Sequence, residues 1–104
     1  MNTREVLFLM EKGKSVFRFP LRVCYLEGDG DFGVSVPKRH FKRAVKRNLL
    51  KRRVREAFRL NASLLGGCSF DIFVQYVGKE VVEYEQIERS LSEILADMAS
   101  GKAD

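Results

Sequence analysis

Residues 32–59 read FGVSVPKRHFKRAVKRNLLKRRVREAFR, and the reading of this stretch decides the fold. Residues 31–36 have the character of a strand, and Pro37 closes it. A helix follows over residues 41–60. At about 100° per residue, Leu50, Val54, Ala57 and Phe58 share one face at i, i+4, i+7 and i+8, which makes them the core-facing seam. Asn48, Lys51, Arg52, Arg55 and Arg59 fall on the roughly opposite face, at i, i+3, i+4, i+7 and i+11. Polar side chains, all cationic except Asn48, thus line up along ~16 Å of helix at ~1.5 Å per residue. Arg47 borders the seam, from which its head can still reach solvent. Ala44 and Val45 miss the seam, so the first turn is either a loop entering the helix or a segment packed elsewhere.

The charge singles out the same stretch. The 104-residue chain is +5 overall, with 19 Lys and Arg against 14 Asp and Glu. Between Lys38 and Arg59 stand eleven basic residues and one acid, Glu56, which makes the window +10 and leaves −5 for the rest. A solvated helix normally mixes signs at i,i+4 spacing, and this one hardly does. Like charges on one element repel, so something other than stability maintains them. A polyanion is the partner that suits such a face. Arg and Lys on phosphates supply affinity and salt dependence without base choice. No helix-turn-helix pair and no zinc ligands stand in the sequence, so structured RNA suits this helix better than a DNA groove.

Outward from the basic helix, residues 3–12 read as a short helix, with Thr3 as its N-cap and Gly13 as its stop. Val6, Leu7, Leu9 and Met10 supply its apolar contacts. Residues 15–27 read as a strand in which Leu21, Val23 and Tyr25 alternate with Arg22 and Cys24, and Pro20 sits at a strand start or bulge. Gly28-Asp29-Gly30 is then a hairpin turn that returns residues 31–36 onto that strand. Gly66-Gly67 ends the region of the basic helix. Residues 70–77 form a strand so continuously apolar that both its faces are expected to be buried. Residues 84–99 form a last helix with Ile87, Leu91, Ile94, Leu95 and Met98 as one apolar stripe. The expected class is α+β: a single-layer mixed β-sheet with helices packed against it, in the order α-β-β-(β)-α-β-α, as one domain over residues 1–104.

Other chemistries lack their residues. The longest apolar run, Val6 to Met10, is too short for a membrane span or a secretory signal. Two Cys cannot build a four-ligand metal site; Cys24 and Cys68 are expected as reduced buried thiols of a cytoplasmic protein. His40 is the only His and has no carboxylate near it in sequence, which argues against general acid–base work. Asp29 and Asp31 belong to a turn, and with Asp71 they are too scattered for a two-metal nuclease. No catalytic residue and no protein metal site is expected.

The residues also resemble a family. Phe32 to Arg39 followed by Arg43 to Arg59 is similar to the bacterial ribonuclease P protein subunit, in which a strand ending Ser-x-x-Lys precedes a helix bearing Arg-Asn-Arg and Lys-Arg-x-x-Arg-Glu. The matching runs are Ser35-x-x-Lys38, Arg47-Asn48 and Lys51-Arg52-x-x-Arg55-Glu56, and the likeness extends over most of residues 5–98. There are departures. Leu49 replaces the last Arg of Arg-Asn-Arg. Arg53 stands where the family is usually apolar. Met10 and Val6 stand where the first helix usually offers aromatic residues. The chain is also expected to begin late relative to the family, without part of the basic segment that precedes the first helix there.

The resemblance implies a ribosomal-protein-like fold with a left-handed β-α-β crossover, a hand that the general rule for such connections disfavours. It implies a partner, the catalytic RNA of ribonuclease P, and a substrate, precursor tRNA, whose 5′ leader the ribonucleoprotein removes. The RNA carries the chemistry with Mg²⁺. On this reading Lys38, Arg39, Arg43, Lys46, Arg47, Asn48, Lys51, Arg52, Arg55 and Arg59 bind RNA. Met10, Phe17, Phe19, Tyr25 and Ser35 belong to a cleft for the single-stranded leader. Phe17, Phe19 and Tyr25 can serve there by stacking or can simply be core and rim packing. A monomer is expected within the holoenzyme. The alternative is a ribosomal or assembly protein that binds structured RNA and processes nothing.

Overall fold

The computed structural model describes residues 1–101. Residues 102–104, the end of the domain expected over residues 1–104, lie outside the described residues. The elements are α1 (Thr3–Lys12), β1 (Lys14–Arg18), β2 (Leu21–Glu27), β3 (Phe32–Ser35), α2 (Ala44–Asn61), a 3-10 turn (Ala62–Leu65), β4 (Phe70–Tyr76) and α3 (Tyr84–Ser100). The class is α+β with one mixed sheet, in the strand order β1-β2-β4-β3. β1 and β4 both run antiparallel to β2, while β3 runs parallel to β4. β3, α2 and β4 thus make a β-α-β crossover between neighbouring parallel strands.

The alternation in β2 sorts the two faces. Leu21, Val23 and Tyr25 join Ile72, Val74 and Tyr76 of β4 in the main core. That core is closed by Leu50, Val54 and Ala57 of α2 and by the full α3 stripe, Ile87, Leu91, Ile94, Leu95 and Met98. Cys24 and Phe73 point the other way and meet Leu9 of α1 in a smaller cluster. The seam residues of α2 and the stripe of α3 are therefore where their 3.6-residue periods place them.

Several expectations need correction. Residues 31–36 do not pair back onto residues 15–27, because β4 lies between β2 and β3. Ile72, Phe73, Val74 and Tyr76 are all buried, so β4 has apolar side chains to cover on both faces and a central position covers them. The Gly28–Gly30 turn is tied to β4 instead: the Asp71 carboxylate accepts from Gly30 N at 3.1 Å and Asp31 N at 3.0 Å. Residues 15–27 are two strands, a hairpin that turns at Phe19 and Pro20. The N-cap of α1 is Asn2 rather than Thr3. Asn2 Oδ1 accepts from Glu5 N at 2.9 Å, and Glu5 Oε1 accepts from Asn2 N at 3.0 Å, a reciprocal capping box. Of the apolar residues of α1 only Leu9 is buried; Leu7 and Met10 are exposed. α2 starts at Ala44, not at residue 41, since Phe41 is inserted into the core edge-on to Tyr76, with ring centroids 5.6 Å apart.

Cys68 is a further correction. It lies exposed beyond Gly67, while Cys24 is buried. Burial pushes the Cys24 thiol up, with Arg22 acting weakly against it. An aromatic disulfide reagent at pH 8 should therefore modify one thiol quickly in the native protein and the second only on unfolding. Two fast thiols would contradict the placement of Cys24 beneath α1.

Candidate nucleic-acid interface

α2 presents its basic face because its other face is locked. Leu50, Val54 and Ala57 have no exposed surface, and Phe58 stacks on Phe32 with ring centroids 4.3 Å apart. This fixes the rotation of the helix about its axis. Asn48, Arg52, Arg55 and Arg59 consequently stand exposed on the outward side, with Lys51 half-buried at its margin. One of these cations already has a partner: Glu56 accepts from Arg59 Nε at 3.2 Å and from Nη2 at 2.5 Å. The Arg59 hydrogen bond holds the Glu56 carboxyl below its usual range, and Glu56 in turn raises Arg59. Glu56→Gln should leave Arg59 free for a phosphate and steepen the salt dependence of RNA binding by up to about one unit in log–log slope. An unchanged or shallower slope would mean that Glu56 aids binding.

The remaining expected RNA-binding residues surround the start of α2. Lys38, Arg39, Arg43 and Lys46 are exposed. Arg39, Arg43 and Lys46 line a groove of about 420 Å³ together with His40 and Lys42 and with Lys79 and Glu80 of the loop that follows β4. Arg47 is different. It is half-buried, and its Nη1 donates to Phe41 O at 2.6 Å and to Lys42 O at 3.0 Å. Arg53 is also turned away from the outward stripe, with Nη1 donating to Val82 O at 2.6 Å.

The sheet face opposite α2 and α3 is only partly covered by α1. Register places Phe17, Arg22, Gln75 and Ser35 in one row across the four strands. The next row on that face, Ser15, Cys24, Phe73 and Gly33, includes the residues beneath Leu9. Around α1, Phe8 and Met10 lie about 100° to either side of Leu9. Phe8 borders a hollow with Leu26, Glu27 and Asp71, so its flank faces the far end of the sheet. The other flank, with Met10 and Val6, therefore faces the Phe17–Ser35 row. Arg22, Ser35 and Gln75 also line a second hollow with Pro37, Arg39 and His40, and Arg39 and His40 join it to the basic groove.

The candidate cleft residues separate accordingly. Met10 and Phe17 are exposed toward the open row, and the Arg22 guanidinium lies 6.0 Å from the centre of the Phe17 ring. Ser35 is half-buried in that row. Phe19 is exposed at the β1–β2 turn. Tyr25 does not belong with them: it is 4% exposed on the opposite face, packed edge-on to Phe70. Its place in the alternation with Leu21 and Val23 requires this. Arg22, Gln75 and Lys79 complete the surface and were not among the expected residues. Gln75 was the polar interruption in an apolar strand, a usable signal; Lys79 is too far along the chain from the basic helix to be linked to it.

A sheet with one face only partly covered, bordered by a cationic helix and a basic groove, defines an RNA-binding α+β protein. The family model described as Ribonuclease P matches residues 2–99. The Porphyromonas gingivalis ribonuclease P protein component is 36% identical over 91% of this chain and 78% of its own length. The RNase P protein from Thermotoga maritima is 28% identical, with a TM-score of 0.77 over 92% of this chain and 94% of that one. The Staphylococcus aureus RNase P protein is 29% identical, with a TM-score of 0.75 over 91% and 89% of the two chains. The chain belongs to the ribonuclease P protein family.

Proposed function

We propose that this chain supplies binding to a ribonucleoprotein in which the RNA breaks the bond. The outward stripe of α2 and the basic groove at its start take phosphates of the catalytic RNA. The open row between Met10 and Arg39 takes the single-stranded 5′ leader of precursor tRNA, with Phe17 as a stacking surface and Arg22, Gln75 and Ser35 as polar contacts on its floor. The observation that carries this reading is the locked rotation of α2. Leu50, Val54 and Ala57 of its apolar seam are fully buried and Phe58 is stacked on Phe32, so the cations opposite that seam are presented outward.

Mg²⁺ belongs to the RNA in this reading. Among the described residues no group of three or more His, Cys, Asp or Glu is placed to hold a metal ion, and the proposed contact surface is cationic. The fit is to phosphate oxygens, whose charge Arg and Lys neutralise. No helix among the described residues is long and apolar enough to cross a membrane. A cytoplasmic location and a monomer in the holoenzyme complete the proposal.

The test is reconstitution. Purified protein added to the cognate catalytic RNA and precursor tRNA at low Mg²⁺ should raise the rate of leader removal, and protein without the RNA should cut nothing. RNA binding with no gain in cleavage at any protein ratio would favour a non-processing RNA-binding protein instead. Shortening the leader to one or two nucleotides should remove most of the gain in substrate affinity if the sheet cleft is where the leader lies.

A further inference from the structure

Arg47 and Arg53 stand three residues to either side of Leu50 on α2. That spacing puts each about 60° from a fully buried side chain, on opposite flanks of the seam. Neither extends along the outward stripe. Both are half-buried, and both end on backbone carbonyls of loops, Arg47 on Phe41 and Lys42 and Arg53 on Val82. The two loops held in this way are the two walls of the basic groove. Residues 37–43 contribute Arg39, Lys42 and Arg43, and residues 77–83 contribute Lys79 and Glu80. The second loop is held again by Tyr76, whose hydroxyl donates to Glu80 O at 2.5 Å. The second wall carries Glu80 beside Lys79, so its charge neither clearly attracts nor repels the cationic first wall, and the separation of the walls has to be set by anchors that do not depend on a bound anion. A guanidinium bonded to a part-buried carbonyl is such an anchor, stronger than a neutral hydrogen bond.

We propose that Arg47 and Arg53 are positioning residues: they fix the two loops whose cations line the groove, and they do not touch RNA themselves. Arg53 thus gains a role at a position where the family pattern offers an apolar residue. Arg47 acts through Lys42 and Arg43, and not as the phosphate contact the motif suggested. The inference rests on the reading of this surface as RNA-binding.

Two double-mutant cycles on the affinity of the full chain for the catalytic RNA test it. The first combines Arg53→Leu with Lys79→Ala, and the second Arg47→Ala with the pair Lys42→Ala and Arg43→Ala. Arg53→Leu should weaken binding about three- to tenfold in the wild-type background and by less than about twofold once Lys79 is absent. Arg47→Ala should behave in the same way toward its loop. In parallel, Arg53→Leu should speed amide hydrogen exchange in residues 77–83 and leave the middle of α2 protected. Should Arg53→Leu fail to fold, Arg53→Gln takes its place. Additive cycles would mean that each Arg meets RNA directly, and unchanged affinity or unchanged loop exchange would mean that neither is an anchor; each of these results overturns the proposal. A wild-type protein that binds the RNA while the cycles come out additive removes this inference alone, whereas one that does not bind removes the proposed function with it.

Discussion

Arg52→Ala combined with Arg55→Ala should weaken binding to the catalytic RNA by roughly 30-fold, on the order of 1 kcal/mol for each exposed charged contact. The log–log salt slope should fall by about two units, since two phosphates lose their neutralising partners. The melting temperature should hold or rise slightly. Both side chains are exposed and neither approaches the seam of Leu50, Val54 and Ala57. Their removal also relieves like-charge repulsion between positions three and four residues apart, including Lys51 with Arg55, which costs a helix about 0.2–0.5 kcal/mol per pair. Equilibrium binding over a salt series, with thermal melts of the same preparations, provides the check. A large fall in melting temperature would show that these residues serve the fold, and an unchanged slope that they never meet phosphate.

Leu50→Ala is the complementary change and acts on stability. Leu50 is fully buried among β-sheet, α2 and α3 residues, so its truncation should cost about 2–5 kcal/mol for the lost transfer energy and the cavity left behind. A domain of this size has only about 5–15 kcal/mol in total, and a loss of that order lowers the melting temperature by about 10 °C or more. The affinity of the protein that remains folded should change little, because every cation of the stripe is still present. Catalytic RNA at about 100 times its dissociation constant should restore about 2.7 kcal/mol of apparent stability. Thermal melts with and without RNA test both statements. A loss of less than about 1 kcal/mol would mean that the seam does not anchor α2 and does not set its rotation.

The two changes differ because α2 has two faces with separate tasks, and those faces were readable in advance. Helical periods of 3.6 residues sort the seam from the stripe without tertiary information, and the same period sorted α3. Parity in β2 was equally legible. Leu21, Val23 and Tyr25 occupy one side of the strand, so Tyr25 is buried with the other two, and the alternation alone excludes it from a cleft on the opposite face. The apolar continuity of residues 70–77 dictates the strand's position as well as its burial. A strand with two faces to cover belongs in the middle of the sheet, and it is there, between β2 and β3. The hairpin expected at Gly28–Gly30 gave way to that requirement, with Asp71 of β4 holding the turn by its backbone amides.

The sequence by itself determined which face of α2 is cationic, because side-chain direction on a helix follows from position alone once the apolar seam is known. It determined the burial of α3 and of alternate residues in β2 for the same local reason. Only the tertiary structure decided how the cations divide between partners. Arg47 and Arg53 turn to loop carbonyls, Arg59 is held by Glu56, and Lys79 arrives from the β4–α3 loop to line the same groove as Lys42 and Arg43. Apart from the Arg59 pair within α2, these arrangements depend on where the chain returns after the helix ends, and a periodicity, which reaches only a few residues, holds no record of that return.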